Sequence, residues 1–394
     1  MLALLMALAF LNYLDRNLLF PLQPLIRSSL GINETAMGAL TTGFFVVYAI
    51  TAPLSGYVAD RVPRKTVLLF AVISWSLITA TSGLAIGFTS LLVLRALTGL
   101  GEGGYFPSAL SLLGDYFDAR ERGLAIALHG IATALGGAAG YAVGGVLGEH
   151  LGWRIPFFLA IIPGLALAFA LSRLDEPPRP PRERTQATPL AAYFRMVSAM
   201  PVLLMSLAAC AASFAVNGLN TWLPTYLHDE RKISVASSGI LTGAFFAAAA
   251  LGQLAGGVFS DRLASRIRGA RSALVALAYL GACPLAVAIT RLDDIVFVLV
   301  AYGGTQFARG FAEPNIYGTI LDHVAPTDRA AAQGFLLALT FAGSSLGPPL
   351  AGALFEAHRP VAAIDMLAAG AAISGVLAIA LAVWLRATQR SEAS

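Results

Sequence analysis

Residues 67–86 read VLLFAVISWSLITATSGLAI, twenty consecutive residues without a charged side chain. At about 1.5 Å per residue a helix of that length spans about 30 Å, the thickness of a bilayer's hydrocarbon core. A second long apolar run, residues 363–385, lies near the other end of the chain. A membrane β-barrel would instead show short strands with period-two alternation. Both stretches therefore read as membrane-spanning helices.

Composition carries that reading to the whole chain. Of 394 residues, 57% are hydrophobic and 12% charged, where soluble domains hold about 25% charged residues. One soluble core cannot absorb so much apolar surface, because larger soluble chains split into separately cored domains. Lipid removes the contradiction. The sequence predicts an all-α integral membrane protein with twelve spans, at residues 3–29, 35–58, 66–86, 90–113, 123–147, 154–174, 197–227, 236–258, 271–290, 295–320, 330–354 and 363–386. Residues 175–195, rich in Pro and Arg, read as a cytoplasmic linker between two six-helix bundles at 1–174 and 196–394. The first span lacks a basic leader and a cleavage site and reads as a retained helix.

Basic residues orient the chain. With both termini and the linker inside, 17 of the 26 Lys and Arg residues fall on the cytoplasmic side and 6 outside. The remaining three, Arg16, Arg95 and Arg309, lie within spans. Such an excess is what the positive-inside rule requires. The expected location is a membrane, crossed many times, with both termini on its cytoplasmic side.

The two halves repeat. GYVADR at 56–61 recurs as GVFSDR at 257–262, an offset of 201. At an offset of 207, Pro107 recurs as Pro314, Glu121-Arg122 as Asp328-Arg329, and the series Gly136, Gly140, Gly145 as Gly343, Gly347, Gly352. Parallel repeats of this size mark transporters in which one half rocks against the other. The loop after the second span carries Gly56, Asp60, Arg61, Arg64 and Lys65, with Gly257, Asp261 and Arg262 as the copy. A glycine there permits close backbone approach, and an Asp beside basic groups can close a gate through charge-assisted hydrogen bonds. The small-residue stripe Gly136, Gly140, Gly144, Gly148 suits tight packing on another helix.

Charges at membrane depth are costly and face a cavity or a partner. Six occur: Asp15 and Arg16 in span one, Arg95 and Glu102 in span four, Arg309 and Glu313 in span ten. Arg95 and Glu102, seven apart, share one helix face, and Arg309 and Glu313 can bridge at i,i+4. An acid whose arginine contact breaks and reforms can couple proton movement to a conformational cycle. Asp15, Glu102, Arg95 and Arg16 are the candidates. Polar wall contacts for a solute would come from Tyr13, Asn12, Tyr105, His129, Asn217, Asn220, Gln306, Arg309, Glu313 and Asn315.

Other chemistries leave no trace. Cys210 and Cys283 are not spaced as a metal pair and read as small buried hydrophobes, and the five histidines are scattered. No phosphate-cradling Gly-x4-Gly-Lys-Ser/Thr loop, nucleophile motif or His-Glu-x2-His site is present, which points to an ion or solute gradient rather than ATP and away from an enzyme. No cofactor, metal or nucleic-acid partner is implied.

With these residues in place, the chain resembles the major facilitator superfamily over nearly its whole length, the 56–65 loop looking like that family's signature. Within it, LNYLDR at 11–16, the AP-x2-GY-x2-DR string at 52–61, SWSL at 74–77 and R-x3-GLGEG at 95–103 are similar to the Spinster group of sphingolipid and lysophospholipid transporters. TWLPTYL at 221–227 also looks like organic-anion symporters of the same superfamily. Gly103 departs from the group, which more often has alanine there. The resemblance implies proton-linked alternating access for an amphiphilic, lipid-like or hydrophobic drug-like solute, with Asp15, Glu102 and Arg95 matching the group's membrane acids and span-four arginine, in a monomer. The alternative it leaves open is a proton-coupled symporter of small organic anions.

Overall fold

A computed structural model describes residues 1–59, 62–117, 121–174, 194, 196–325 and 328–393. Among them lie fifteen helices and no strand. The first eight are α1 (Leu2–Asn17), α2 (Gln23–Leu30), α3 (Glu34–Ala59), α4 (Arg64–Ser82), α5 (Phe88–Glu102), α6 (Tyr105–Tyr116), α7 (Arg122–Leu151) and α8 (Arg154–Ser172). The others are α9 (Met200–Asp229), α10 (Val235–Ala244), α11 (Phe246–Ala264), α12 (Ala270–Ala288), α13 (Ile295–Asp322), α14 (Arg329–Glu356) and α15 (Pro360–Ala393).

Ten stretches of the described residues are long and apolar enough to cross a membrane, α10 and α11 counting as one stretch, Val235–Ala264. The two expected spans that fall short are the first and the fourth, and both are interrupted. In the first, Pro21 lacks the N–H that would bond the Asn17 carbonyl. That carbonyl accepts from Phe20 N at 3.3 Å instead, and a stretch of turns joins α1 to α2. In the fourth, Pro107 cannot bond the Gly103 carbonyl four residues back. The Ser55 hydroxyl reaches over from α3 to donate to that oxygen at 2.8 Å. Irregular backbone at membrane depth is tolerated where neighbouring groups satisfy it in this way. The expectation of uninterrupted spans at 3–29 and 90–113 is corrected accordingly. The broken helices are the ones that carry Asp15, Arg16, Arg95 and Glu102.

The residues form two compact units. The first contains α1 to α8 together with Asn220–Phe246, so the last third of α9 and all of α10 pack in it. The second contains α9 up to Leu219 and the chain from Ala247 onward. In the first, α4 packs on α8 and α5, around a core that includes Leu5, Leu8, Val72, Trp75 and Tyr105. In the second, α12 packs on α15 and α13 around Met205, Val275, Tyr279, Ala312 and Leu381. The pairings α4·α8 and α12·α15 are equivalents under the sequence repeat.

The glycine series explains another matched pair. A Cβ added at Gly136 or Gly140 would overlap the carbonyl oxygens of Phe10 or Leu14 on α1, and one at Gly343 or Gly347 would overlap those of Cys210 or Phe214 on α9. Only a residue without a side chain lets these backbones approach so closely. Large aliphatic side chains such as Ile50, Leu54, Phe70, Leu251, Val300 and Ile379 remain exposed, the outward face a lipid-embedded protein presents.

Candidate coupling site

In the first unit α1 and α5 place three charged side chains together. Arg16 donates from Nε (2.9 Å) and NH2 (2.7 Å) to one oxygen of Glu102. It also donates from NH2 to Asn12 Oδ1 at 3.3 Å. Its guanidinium lies over the rings of Tyr13, Phe44 and Tyr48, at 4.8, 5.1 and 5.1 Å from their centroids. Aromatic faces stabilise a cation where water is scarce. Glu102 is fully buried, and its second oxygen has no hydrogen-bond partner.

Arg16, rather than Arg95, therefore closes the ion pair with Glu102. Arg95 shares a helix with Glu102, but the rise over seven residues, about 10 Å, keeps the two groups from direct contact. Its own guanidinium lies 5.3 Å from the Phe44 ring centroid, and Nε and NH1 have no hydrogen-bond partner in a side chain only 2% exposed. Asp15 is fully buried too; neither carboxylate oxygen makes a hydrogen bond of good geometry, and the Trp75 indole is the donor beside it. Glu102 and Arg95 are among its electrostatic neighbours. The cluster thus holds one committed ion pair, one acid outside any ion pair and one base with spare donors. Such a set can exchange partners: protonating Glu102 removes the charge that holds Arg16, and Asp15 offers a second acid to the two arginines.

Two other expected wall residues meet beside this cluster. Tyr105 Oη lies 2.9 Å from His129 Nε2 and donates to the Leu5 carbonyl at 3.3 Å. One hydroxyl hydrogen serves one of these bonds, so the consistent arrangement has His129 Nε2–H donating to the tyrosine oxygen. Both side chains are buried. Asn220, from the last third of α9, receives the Tyr141 hydroxyl on its carbonyl oxygen at 2.8 Å.

In the second unit the residues do not condense into a charged cluster. Arg309 and Glu313, half-buried on α13, form no ion pair, although both act on the buried Tyr279 hydroxyl. The expected i,i+4 bridge is not made. Gln306 donates to Tyr302, Asn217 to Ser344 Oγ at 3.0 Å, and Asn315 to the Phe311 carbonyl at 2.8 Å.

Of the gate residues, Asp60 and Arg61 lie outside the described residues, and Gly56 is on the last turns of α3. Lys65 donates to the Ser172 carbonyl at 2.8 Å and to that of Leu174, tying the start of α4 to the end of α8. Arg64 begins the same helix. In the copy, Asp261 lies 3.6 Å from Arg271, whose Nε donates to Asp322 at 2.9 Å. Arg262 is exposed. Gly257 has open space around it, and it is Gly256 that sits against the Phe311 carbonyl, so close approach shifts by one residue from the expected position. Sequence reading missed Phe44 and Tyr48 around Arg16, and Arg271 and Asp322 beside Asp261. Aromatics facing a buried arginine had a signal in Tyr48, a polar ring in an apolar span; Arg271 and Asp322 carried none, since both sit at helix ends among many surface charges.

Buried charges on interrupted helices, within a fold of many spans, are features a membrane carrier can use. The Major Facilitator Superfamily model matches residues 5–308 and 233–394. The chain belongs to this superfamily and is a multi-pass secondary transporter. It is 28% identical to the hexuronate transporter of Bacillus subtilis, over 94% of this chain and 90% of that one. It is also 28% identical to protein spinster homolog 1 of Homo sapiens, over 88% and 71%. Its fold is similar to that of a bacterial homologue of the human lysosomal transporter Spinster, solved inward-facing and unoccupied, with a TM-score of 0.83, 23% identity and coverage of 99% and 96%.

Proposed function

We propose that this chain is a proton-coupled carrier working by alternating access, with Asp15, Arg16, Arg95 and Glu102 as its coupling centre. It crosses a bacterial inner membrane twelve times in two six-helix repeats, as a monomer with both termini cytoplasmic. The observation that carries the reading is the Arg16–Glu102 ion pair beside Asp15, a fully buried acid with no ion-pair partner of its own. A proton arriving at Glu102 releases Arg16. Arg16 and Arg95 then compete for Asp15, and the change of partners accompanies the change of access. The cargo is an amphiphilic solute, lysophospholipid- or sphingolipid-like or a hydrophobic drug-like molecule, whose apolar body suits the Tyr13, Phe44 and Tyr48 rings. His129 and Tyr105 lie on the wall of its path.

A second reading has one observation in its favour. Arg95 is buried with two donors unused, an arrangement suited to a carboxylate. With a hexuronate carrier among the relatives, a small organic anion is the alternative cargo. Counterflow in liposomes with a lysolipid, a hydrophobic cation and a carboxylate separates the readings. Exchange of the carboxylate alone would overturn the amphiphile assignment. Glu102→Gln is expected to abolish uptake driven by a pH gradient while counterflow persists; pH-driven uptake at the wild-type rate would refute the coupling role.

A further inference from the structure

On α13, Tyr302, Gln306, Arg309 and Glu313 fall on one face, at about 100° of turn per residue. Val296, Val300 and Phe307 fall opposite and are exposed, so that side of the helix meets lipid. The charged face is turned the other way, and the buried Tyr279 hydroxyl of the adjoining α12 is an electrostatic neighbour of both Arg309 and Glu313. Arg309 and Glu313 themselves are only half-buried. Space beside them lies open on the side away from lipid.

Neither charge is answered by another side chain. Among the described residues Arg309 makes no hydrogen bond and no ion pair, and nor does Glu313. The amide on the same face is engaged, Gln306 donating to the Tyr302 hydroxyl. Charges at membrane depth are costly without a counter-charge or a polar solute. These two are opposite in sign and one turn apart, about 6 Å along the axis. A lone anion on Arg309 would meet repulsion from Glu313, and a lone cation on Glu313 would meet it from Arg309. A group that carries both charges answers both residues at once.

We propose that Arg309 and Glu313 bind a zwitterionic group, the guanidinium holding its phosphate or carboxylate and the carboxylate its ammonium, with the Tyr279 hydroxyl beside them. A guanidinium fork matches an oxyanion, and charge-assisted contacts are the strong ones. The inference rests on the reading of the chain as an amphiphile carrier and specifies the cargo's polar end: no net charge, with both signs present. A zwitterionic lysolipid headgroup and a free zwitterionic solute present the same chemistry here.

The test is binding, read as a saturable Tm shift of the purified full chain in neutral detergent. Three amphiphiles of equal chain length are titrated: lysophosphatidylcholine, lysophosphatidylglycerol and an alkyltrimethylammonium. A fourth arm uses glycerophosphocholine, the first headgroup without its chain. Lysophosphatidylcholine should saturate at about tenfold lower concentration than either singly charged amphiphile, the worth of one charge-assisted contact. Glu313→Gln should turn the preference toward lysophosphatidylglycerol, and Arg309→Gln toward the alkyltrimethylammonium. Where a glutamine variant does not fold, Arg309→Lys decides. It keeps the charge, loses the fork, and should weaken lysophosphatidylcholine while leaving the alkyltrimethylammonium unchanged. Saturation by glycerophosphocholine as well assigns a free zwitterion, and saturation by the lysolipid alone assigns an amphiphile's head; both support the site. No shift with either zwitterion, equal saturation by all three amphiphiles, an order unchanged in both glutamine variants, or unchanged lysophosphatidylcholine affinity in Arg309→Lys overturns it. Binding is read here rather than flux, so these outcomes leave the carrier reading standing, and that reading is lost only in the liposome counterflow.

Discussion

Span four and span ten are equivalents under the repeat, yet their charges behave in opposite ways. On α5 Arg95 and Glu102 stand two turns apart, and Glu102 is taken by Arg16 from another helix, inside a ring of aromatics. On α13 Arg309 and Glu313 stand one turn apart and still do not pair, leaving polar side chains bonded mostly to neighbours on their own helix. The packing device has been kept in both halves, since Gly136 and Gly140 sit against α1 as Gly343 and Gly347 sit against α9. The lesson is that repetition conserves how close the helices come and leaves charge free to diverge. A buried ion pair needs a partner on a second helix at the right depth, and the break at Gly103 with its Ser55 support belongs to the first half only.

The comparison can be broken most severely at the shared feature. Gly136→Leu and Gly343→Leu should each prevent accumulation of folded protein, measured by size-exclusion chromatography of detergent extracts, because the added side chain meets backbone that cannot yield. Folded yield near wild type for either would show that close approach is dispensable in that half. Next in size is Glu102→Ala, which leaves Arg16 without its buried counter-charge. Removing one member of a buried pair costs about 3–5 kcal/mol. A lowered Tm that Arg16→Met in the same chain largely restores would confirm the pairing, and additive losses would deny it.

Span ten should respond differently. Arg309→Gln is expected to leave pH-driven uptake in place, with its effect confined to the solute concentration for half-maximal transport. Collapse of pH-driven uptake to the level of Glu102→Gln would erase the asymmetry between the halves. Smaller still is Ser55→Ala, which strands the Gly103 carbonyl and should cost about 1 kcal/mol, a modest fall in Tm. The smallest effect belongs to Arg27, which bridges Glu34 and Asp229 within the first unit as a partly exposed pair. Arg27→Ala should change stability by about 1 kcal/mol or less, and a larger loss would mark that contact as a major clasp.

Much of this protein was determined by the chain read in a line. Apolar runs of about 20 residues fix helices and membrane residence because backbone groups in lipid must be bonded within the segment. The 201 and 207 offsets showed the repeat, and the scarcity of charge singled out Asp15, Arg16, Arg95 and Glu102, since an ion at that depth is too costly to be incidental. The tertiary structure decided what those residues do to one another. Pairing depends on helix rotation, depth and the direction of long side chains, none of which spacing along one helix encodes. So Arg16 took the glutamate that Arg95 shares a helix with, Arg309 and Glu313 stayed apart at a spacing that permits contact, and proline broke the spans that hold the charges. Sequence placed the costly groups in the membrane; only the packing of one helix on another chose their partners.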